Sequence, residues 1–122
     1  MANKKQRKAL EQKRLEEAFK WPSLAQSTLS APDAFSRIGL ATSGAEIIPN
    51  FDGSPEGLFC WIILPGASEK STARARSAEI EVEARRLLAE AGFPETALPS
   101  LRFDYTSRPE IDAAGGRFAF FR

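Results

Sequence analysis

Three carboxylates and one phenol near the C-terminal end of the chain are of the types that acid–base catalysis uses. Asp104, Glu110 and Asp112 follow one another closely, and Tyr105 lies beside the first. Such carboxylates can exchange protons with a substrate or hold a divalent cation. The local pattern favours structural roles instead, because Asp104 has the outward phase of an alternating strand. Glu110 stands three residues after Ser107, which is the spacing of a helix capping box.

The composition excludes several further kinds of catalytic site. The chain has no His and one Cys, so neither a Ser–His–Asp relay nor a Cys–His relay can form within it, nor can a histidine metal site. Cys60 lies inside an apolar run, where a thiol usually fills the core. Gly115 and Gly116 lack the strand–loop–helix context of a phosphate-binding loop. We therefore expect a protein that is not an enzyme and needs no cofactor or metal.

Cysteine usage and hydropathy bear on where the chain works. A single unpaired Cys fits a reducing compartment. The longest apolar run, residues 58–64, is far shorter than the roughly 20 residues that span a bilayer, and no apolar stretch follows the basic N-terminus. These features predict a cytoplasmic protein that does not associate with a membrane.

The charge is distributed unevenly between a basic N-terminal arm and an acidic remainder. Residues 1–20 contain seven bases and three acids, a net charge of +4, whereas the rest contains ten bases and thirteen acids, a net charge of −3. A helix carrying such bases can neutralise phosphates, although charge runs are more often solvated faces. Trp21 follows the arm and either anchors it to the body or contacts a partner. The candidate interaction residues are Lys4, Lys5, Arg7, Lys8, Lys13, Arg14 and Trp21.

Three segments must position these residues. Residues 1–21 are rich in good helix formers and predict a basic helical arm. Residues 22–45 are rich in Ser, Ala, Thr and Pro, and predict either two short helices, at 22–29 and 32–38, or an irregular connection. Residues 46–122 predict an α+β body, and the three segments together form a single domain.

Hydrophobic periodicity defines the elements of the body. Strands are predicted at 46–48, 58–64, 101–105 and 117–122, and one long amphipathic helix at 69–91. The continuous run 58–64 predicts a central strand that is covered on both faces. The strand–helix–strand unit from 58 to 105 predicts a crossover between parallel strands. The predicted common core consists of Phe59, Trp61, Ile63, Ile80, Leu87, Leu88, Phe103, Phe118 and Phe120.

The fold class that follows is α+β. We expect a small mixed or antiparallel sheet of about four strands, with the long helix packed on one face and N-terminal helical segments beside it. The second apolar face must then be covered by residues 15–45 or by a partner. A short turn at 107–114, capped by Ser107, is expected to precede the last strand.

The sequence favours a non-enzymatic protein-binding module of the inhibitor, immunity or adaptor type. A protein partner or self-association would use the second apolar face. The alternative is a nucleic-acid or ribosome-associated protein that uses the basic residues within 1–20. The C-terminal order of strand, capped turn and Gly-Gly-aromatic strand is similar to that of small bacterial domains, but no motif points to one family.

Overall fold

The computed structural model describes residues 4–121, and for residues 12–18 it describes the backbone alone. Two helices precede the first two strands, two more separate them from the third strand, and two follow it. Short 3₁₀ turns lie at Ser36–Ile38 and Glu95–Ser100. The elements are α1 Lys4–Ala18, α2 Lys20–Ser30, β1 Gly44–Ile48, β2 Phe59–Leu64, α3 Ala67–Ala75, α4 Ser77–Glu90, β3 Arg102–Ser107, α5 Arg108–Ala113 and α6 Arg117–Phe120.

The sheet is small and mixed, with the strand order β1-β2-β3. β1 pairs with β2 antiparallel, and β2 pairs with β3 parallel. The continuous apolar run therefore occupies the central strand, as its composition predicts. Parallel strands need a long crossover, and α3 and α4 supply it. The mixed sheet is confirmed, but the described residues form three strands instead of about four.

One face of the sheet, the inner face, carries the main core. The strand register places Ala45, Ile47, Cys60, Ile62, Leu64, Phe103 and Tyr105 on this face. Ile80, Ala84 and Leu88 pack onto it from one stripe of α4, and Ala25 and Leu29 from α2. The expectation that residues 15–45 cover the second face is wrong for α2, which lies on the same side as α4. Two helices side by side bury this face more completely than one.

The predicted long helix is two helices that meet at Arg76. Arg76 departs from helical geometry, with φ −104° and ψ 20°, and ends α3 before α4 begins at Ser77. Its guanidinium binds the carbonyl of Ile38 and the carboxylate of Glu79. Hydrophobic periodicity did not reveal this break because the apolar stripe continues through it. The bend lets α3 contact β3 while α4 packs beside α2.

The predicted last strand is also wrong, because α6 occupies its place. Gly115 and Gly116 have φ of +99° and +100°, a conformation that reverses the chain and that residues with a Cβ rarely adopt. The segment then crosses the sheet as a short helix, so Phe120 and Phe121 both contact Trp61. Alternation of aromatic residues over so short a stretch does not distinguish a strand from a helical turn.

The predicted common core is divided between the two faces. Ile80 and Leu88 are buried in the main core, and Leu87 and Phe103 are partly buried against it. The other five are not in that core: Ile63 is buried on the opposite face of the sheet, Phe59, Trp61 and Phe120 are half-buried, and Phe118 is 84% exposed. The reason is the two-residue period of β2, which sends Phe59 and Trp61 to the face opposite Cys60 and Ile62.

The N-terminal half contains one of the two short helices expected between residues 22 and 45. α2 begins slightly earlier than predicted and holds Pro22 in its first turn, where a missing N–H costs nothing. The second expected helix is reduced to the turn Ser36–Ile38, which ends at Gly39 with φ +70°. Across the described part of the chain, no helix has both the length and the apolar character of a membrane span.

Candidate interaction surface

The second face of the sheet, the outer face, is closed at one end and open at the other. Paired residues of neighbouring strands share a face, so Trp61 lies between Glu46 of β1 and Asp104 of β3. At the closed end, Ile63 and Thr106 are buried, as is Ile111 of α5. The outer-face residues are Glu46, Ile48, Phe59, Trp61, Ile63, Arg102, Asp104 and Thr106.

Four rings form an aromatic cluster at the open end of the outer face, composed of Phe59, Trp61, Phe120 and Phe121. The ring centroid of Trp61 lies 5.4 Å from Phe59, 5.4 Å from Phe120 and 5.8 Å from Phe121. Phe120 and Phe121 meet nearly edge to face at 4.8 Å. These geometries are favourable aromatic contacts. All four rings nevertheless keep part of their surface exposed to solvent.

Charges of both signs surround the cluster. Arg117 of α6 forms two hydrogen bonds to the Glu46 carboxylate, at 2.9 and 2.6 Å, and this ion pair ties α6 to β1. The guanidinium of Arg102 lies 5.4 Å from the Phe59 ring centroid. On the β3 side, Arg74 approaches Asp104 at 3.5 Å. The open end is thus an aromatic centre with a charged rim, which is the general anatomy of a protein interface.

Phe118 is the exposed ring of α6, the helix that brings Phe120 to the cluster. Its side chain is 84% exposed, and the guanidinium of Arg117 lies 5.4 Å from its ring centroid. A large ring in this position contributes little to the fold, because it is not removed from water. Exposed apolar groups that adjoin a larger apolar patch commonly mark a binding surface.

The free edge of β1 is closed by side chains from α2. The Gln26 amide donates to the carbonyl of Ala45 at 2.6 Å, and its oxygen accepts the N–H of Ile47 at 2.9 Å. Ser30 also donates to Ala45, at 3.1 Å. Gln26 therefore replaces the peptide group of a neighbouring strand. This protects the edge from strand addition and leaves the face as the accessible part of β1.

Two of the three candidate carboxylates, Glu110 and Asp104, form local hydrogen bonds. Glu110 accepts hydrogen bonds from Lys70 at 2.6 Å and from Thr106 at 2.8 Å, and these bonds, led by Lys70, hold its pKa below the usual range. Asp104 accepts the N–H of Tyr105 at 2.8 Å. Asp112 is exposed. Within the described residues, no group of three acids or cysteines lies close enough to hold a metal ion.

The capping box at α5 forms only in part. Ser107 has the extended backbone of an N-cap residue, and its N–H is among the groups that lower the pKa of Glu110. Its hydroxyl makes no capping bond; the side-chain oxygen is buried without a partner. The predicted capping role of the Ser107 side chain is therefore wrong. The Glu110 carboxylate accepts a hydrogen bond from the Thr106 hydroxyl.

Two further reactive groups lie inside the core. Cys60 is fully buried, and burial raises the pKa of its thiol to about 12, so the nucleophilic thiolate is scarce at neutral pH. The Tyr105 hydroxyl lies near Glu81, and burial followed by this negative charge raises its pKa above the ordinary value. Both residues fill space under α4.

The predicted interaction residues of the arm lie on α1, away from the aromatic cluster in the chain. Lys4, Lys5, Arg7 and Lys8 are exposed. Lys13 and Arg14 are residues of α1, but the structure describes only their backbone. Trp21 is half-buried and packs edge-on against Phe93 at 5.8 Å, with the Lys20 ammonium 4.5 Å from its ring. In this position Trp21 joins the start of α2 to the core.

Sequence reasoning did not identify the aromatic cluster or Phe118 as surface residues. A signal was present, because the unbroken apolar run 58–64 indicates a second apolar face. The strand register was needed to place Phe59 and Trp61 together on it. The chain matches no known protein family, and neither a characterised protein nor a solved structure shows significant similarity to it.

Proposed function

We propose that this chain is a non-enzymatic protein-binding module of the inhibitor, immunity or adaptor type, acting in the cytoplasm. Its binding surface is the open end of the outer face. The observation that carries the proposal is the aromatic cluster, in which Trp61 keeps solvent-exposed surface while three other rings surround it. Trp, Tyr and Arg dominate the binding energy of protein interfaces, and a Trp at the centre of a ring cluster fits that role.

The partner that this surface fits is a folded protein presenting an apolar projection within a charged rim. The projection would pack on the exposed part of the aromatic cluster, and Phe118 would be removed from water with it. Arg102 and Asp104 lie side by side on β3, so the partner's rim would need charges of both signs. Strand addition at β1 is disfavoured because Gln26 already bonds the edge of that strand, and we expect the partner to contact the face.

Acid–base catalysis at the same surface has less support. Asp104 is engaged with Arg74 and with the backbone of Tyr105, and Glu110 with Lys70 and Thr106. A general base must be free to take a proton from a substrate. Carboxylates held in such bonds are better suited to fixing the ends of β3 and α5.

The test compares two exposed apolar side chains on opposite sides of the molecule. Phe118 is 84% exposed beside the cluster, and Val82 is 68% exposed on α4, which covers the inner face. Full-length protein is immobilised and exposed to nuclease-treated extract of the source cells. A retained protein is then purified, and its affinity is measured by calorimetry against the wild type, Phe118→Ser and Val82→Ser. Since neither residue is buried, both variants should remain folded.

We expect Phe118→Ser to weaken binding at least about tenfold, as loss of an interface anchor does, and Val82→Ser to leave it unchanged. Replacing Trp21 with Phe leaves Trp61 as the sole indole, and its fluorescence should shift to shorter wavelength when the partner binds. Equal loss in both serine variants, or a Trp61 emission that the bound partner does not alter, would contradict the proposed surface.

A further inference from the structure

Helix α1 has two bases in its first turn, where positive charge destabilises a helix. Lys4 and Lys5 occupy its first turn, and no acidic residue lies there. Aligned peptide dipoles place about half a positive charge at the N-terminal end, so cations there are repelled. Lys4 and Lys8 are also like charges one turn apart, which is a further unfavourable pair.

Packing gives residues 4–11, the part of α1 whose side chains the structure describes, little compensation. Every side chain described between residues 4 and 11 is exposed, including Leu10 at 58%. A helix of about 15 residues is marginal in water unless a tertiary contact supports it. Negative charge supplied from outside would relieve both repulsions at once and so stabilise the helix.

We infer that α1 binds a double-stranded nucleic acid, whose phosphates supply this negative charge. At 100° per residue, the bases Arg7, Lys4, Lys8 and Lys5 spread over about 160° of the helix surface. A duplex groove wide enough for an α-helix has phosphates along both of its borders. Bases spread over nearly half of a helix can reach both borders, whereas a single narrow row could reach only one.

Other polyanions fit α1 less well. Residues 4–18 contain no aromatic side chain on which the bases of a single strand could stack. Their few apolar residues include Leu10 but form no continuous apolar face, which an in-plane helix on a lipid surface requires. This inference is independent of the proposed function, since it concerns the opposite end of the chain from α6.

The probes are a 20-base-pair DNA duplex, an RNA duplex of the same sequence and the single DNA strand, each fluorescently labelled. Binding by the full-length chain is followed by anisotropy between 50 and 200 mM salt. The charge-removing variant is Lys4→Gln/Lys8→Gln. Its matched control is Arg37→Gln/Arg108→Gln, which removes the same charge from exposed positions of the body.

We expect binding to the DNA duplex in the micromolar range at low salt, and weaker binding to the single strand. Four phosphate contacts would reduce affinity about 150-fold between 50 and 200 mM salt, and two contacts only about 12-fold. The Lys4/Lys8 variant should show the smaller dependence, and the control should match the wild type. Circular dichroism should show helix content rising as duplex is added. Comparing the two duplexes decides whether DNA or RNA is preferred.

Three results would each overturn the inference. These are absence of duplex binding at 50 mM salt, an equal loss of affinity in the Arg37/Arg108 control, and single-strand binding as tight as duplex binding. This assay does not test Phe118 or Val82. A negative result would therefore not count against the proposed protein-binding surface.

Discussion

Replacing Gln26 by Leu should destabilise the protein although it adds apolar surface. The side chain keeps its approximate size but loses the donor to Ala45, the acceptor for Ile47 and the 2.8 Å bond to the Ser30 hydroxyl. A neutral hydrogen bond contributes about 0.5–1.5 kcal/mol net, so the two bonds to β1 contribute about 1–3 kcal/mol. The groups left behind belong to the backbone of an edge strand, where water reaches one side and limits the cost.

Urea denaturation measures the change, and Ser27→Ala is its control. Ser27 is the next residue of α2, is exposed, and bonds only its own helix at the carbonyl of Leu24. Hydrogen exchange adds a local measurement, since the Ile47 amide should exchange much faster in Gln26→Leu while the amides of β2 keep their protection. Stability within about 0.5 kcal/mol of wild type, together with an unchanged Ile47 amide, would refute the closed-edge description.

Three other predictions follow from the described contacts. Ser107→Ala should leave the free energy of unfolding unchanged or raise it by up to about 1 kcal/mol in urea denaturation, because it removes a buried hydroxyl that has no partner. A loss of about 1 kcal/mol would show instead that the Ser107 side chain caps α5. The lowered pKa of Glu110 means that its bond to Lys70 stabilises the fold above the unfolded pKa of about 4.3 and is lost as pH falls through the folded pKa. The stability gap between wild type and Glu110→Gln should therefore narrow from pH 7 to pH 3, and a constant gap would contradict this. Leu88→Ala should cost about 2–5 kcal/mol, because Leu88 is fully buried on the inner side of α4, and a loss below 1 kcal/mol would place it outside the core.

Local sequence patterns predicted those features that depend on neighbours along the chain. The apolar run 58–64 identified the central strand of the sheet, although the expected cover on both faces is incomplete, since Phe59 and Trp61 are only half-buried. The stripe through Ile80, Ala84 and Leu88 identified the buried side of α4, since helical periodicity alone determines which residues share a side. The clustering of bases in residues 1–20 likewise follows from composition.

Tertiary structure decided the features that depend on distant partners. Arg76 ends α3 where its guanidinium meets the carbonyl of Ile38, a residue far away in the chain. Gln26 closes β1 only because α2 lies beside that strand.

The open end of the outer face shows the same division between local and distant causes. Alternation along β2 sends Phe59 and Trp61 to one side of the sheet, and this much is local. What covers these two rings depends on the C-terminal residues. They could pair with a strand edge as a fourth strand, or pack on the outer face as a helix. The positive φ angles of Gly115 and Gly116 and the ion pair from Arg117 to Glu46 direct that segment across the face as a helix. Such a choice depends on contacts between residues far apart in the chain, which no local pattern of hydrophobicity encodes.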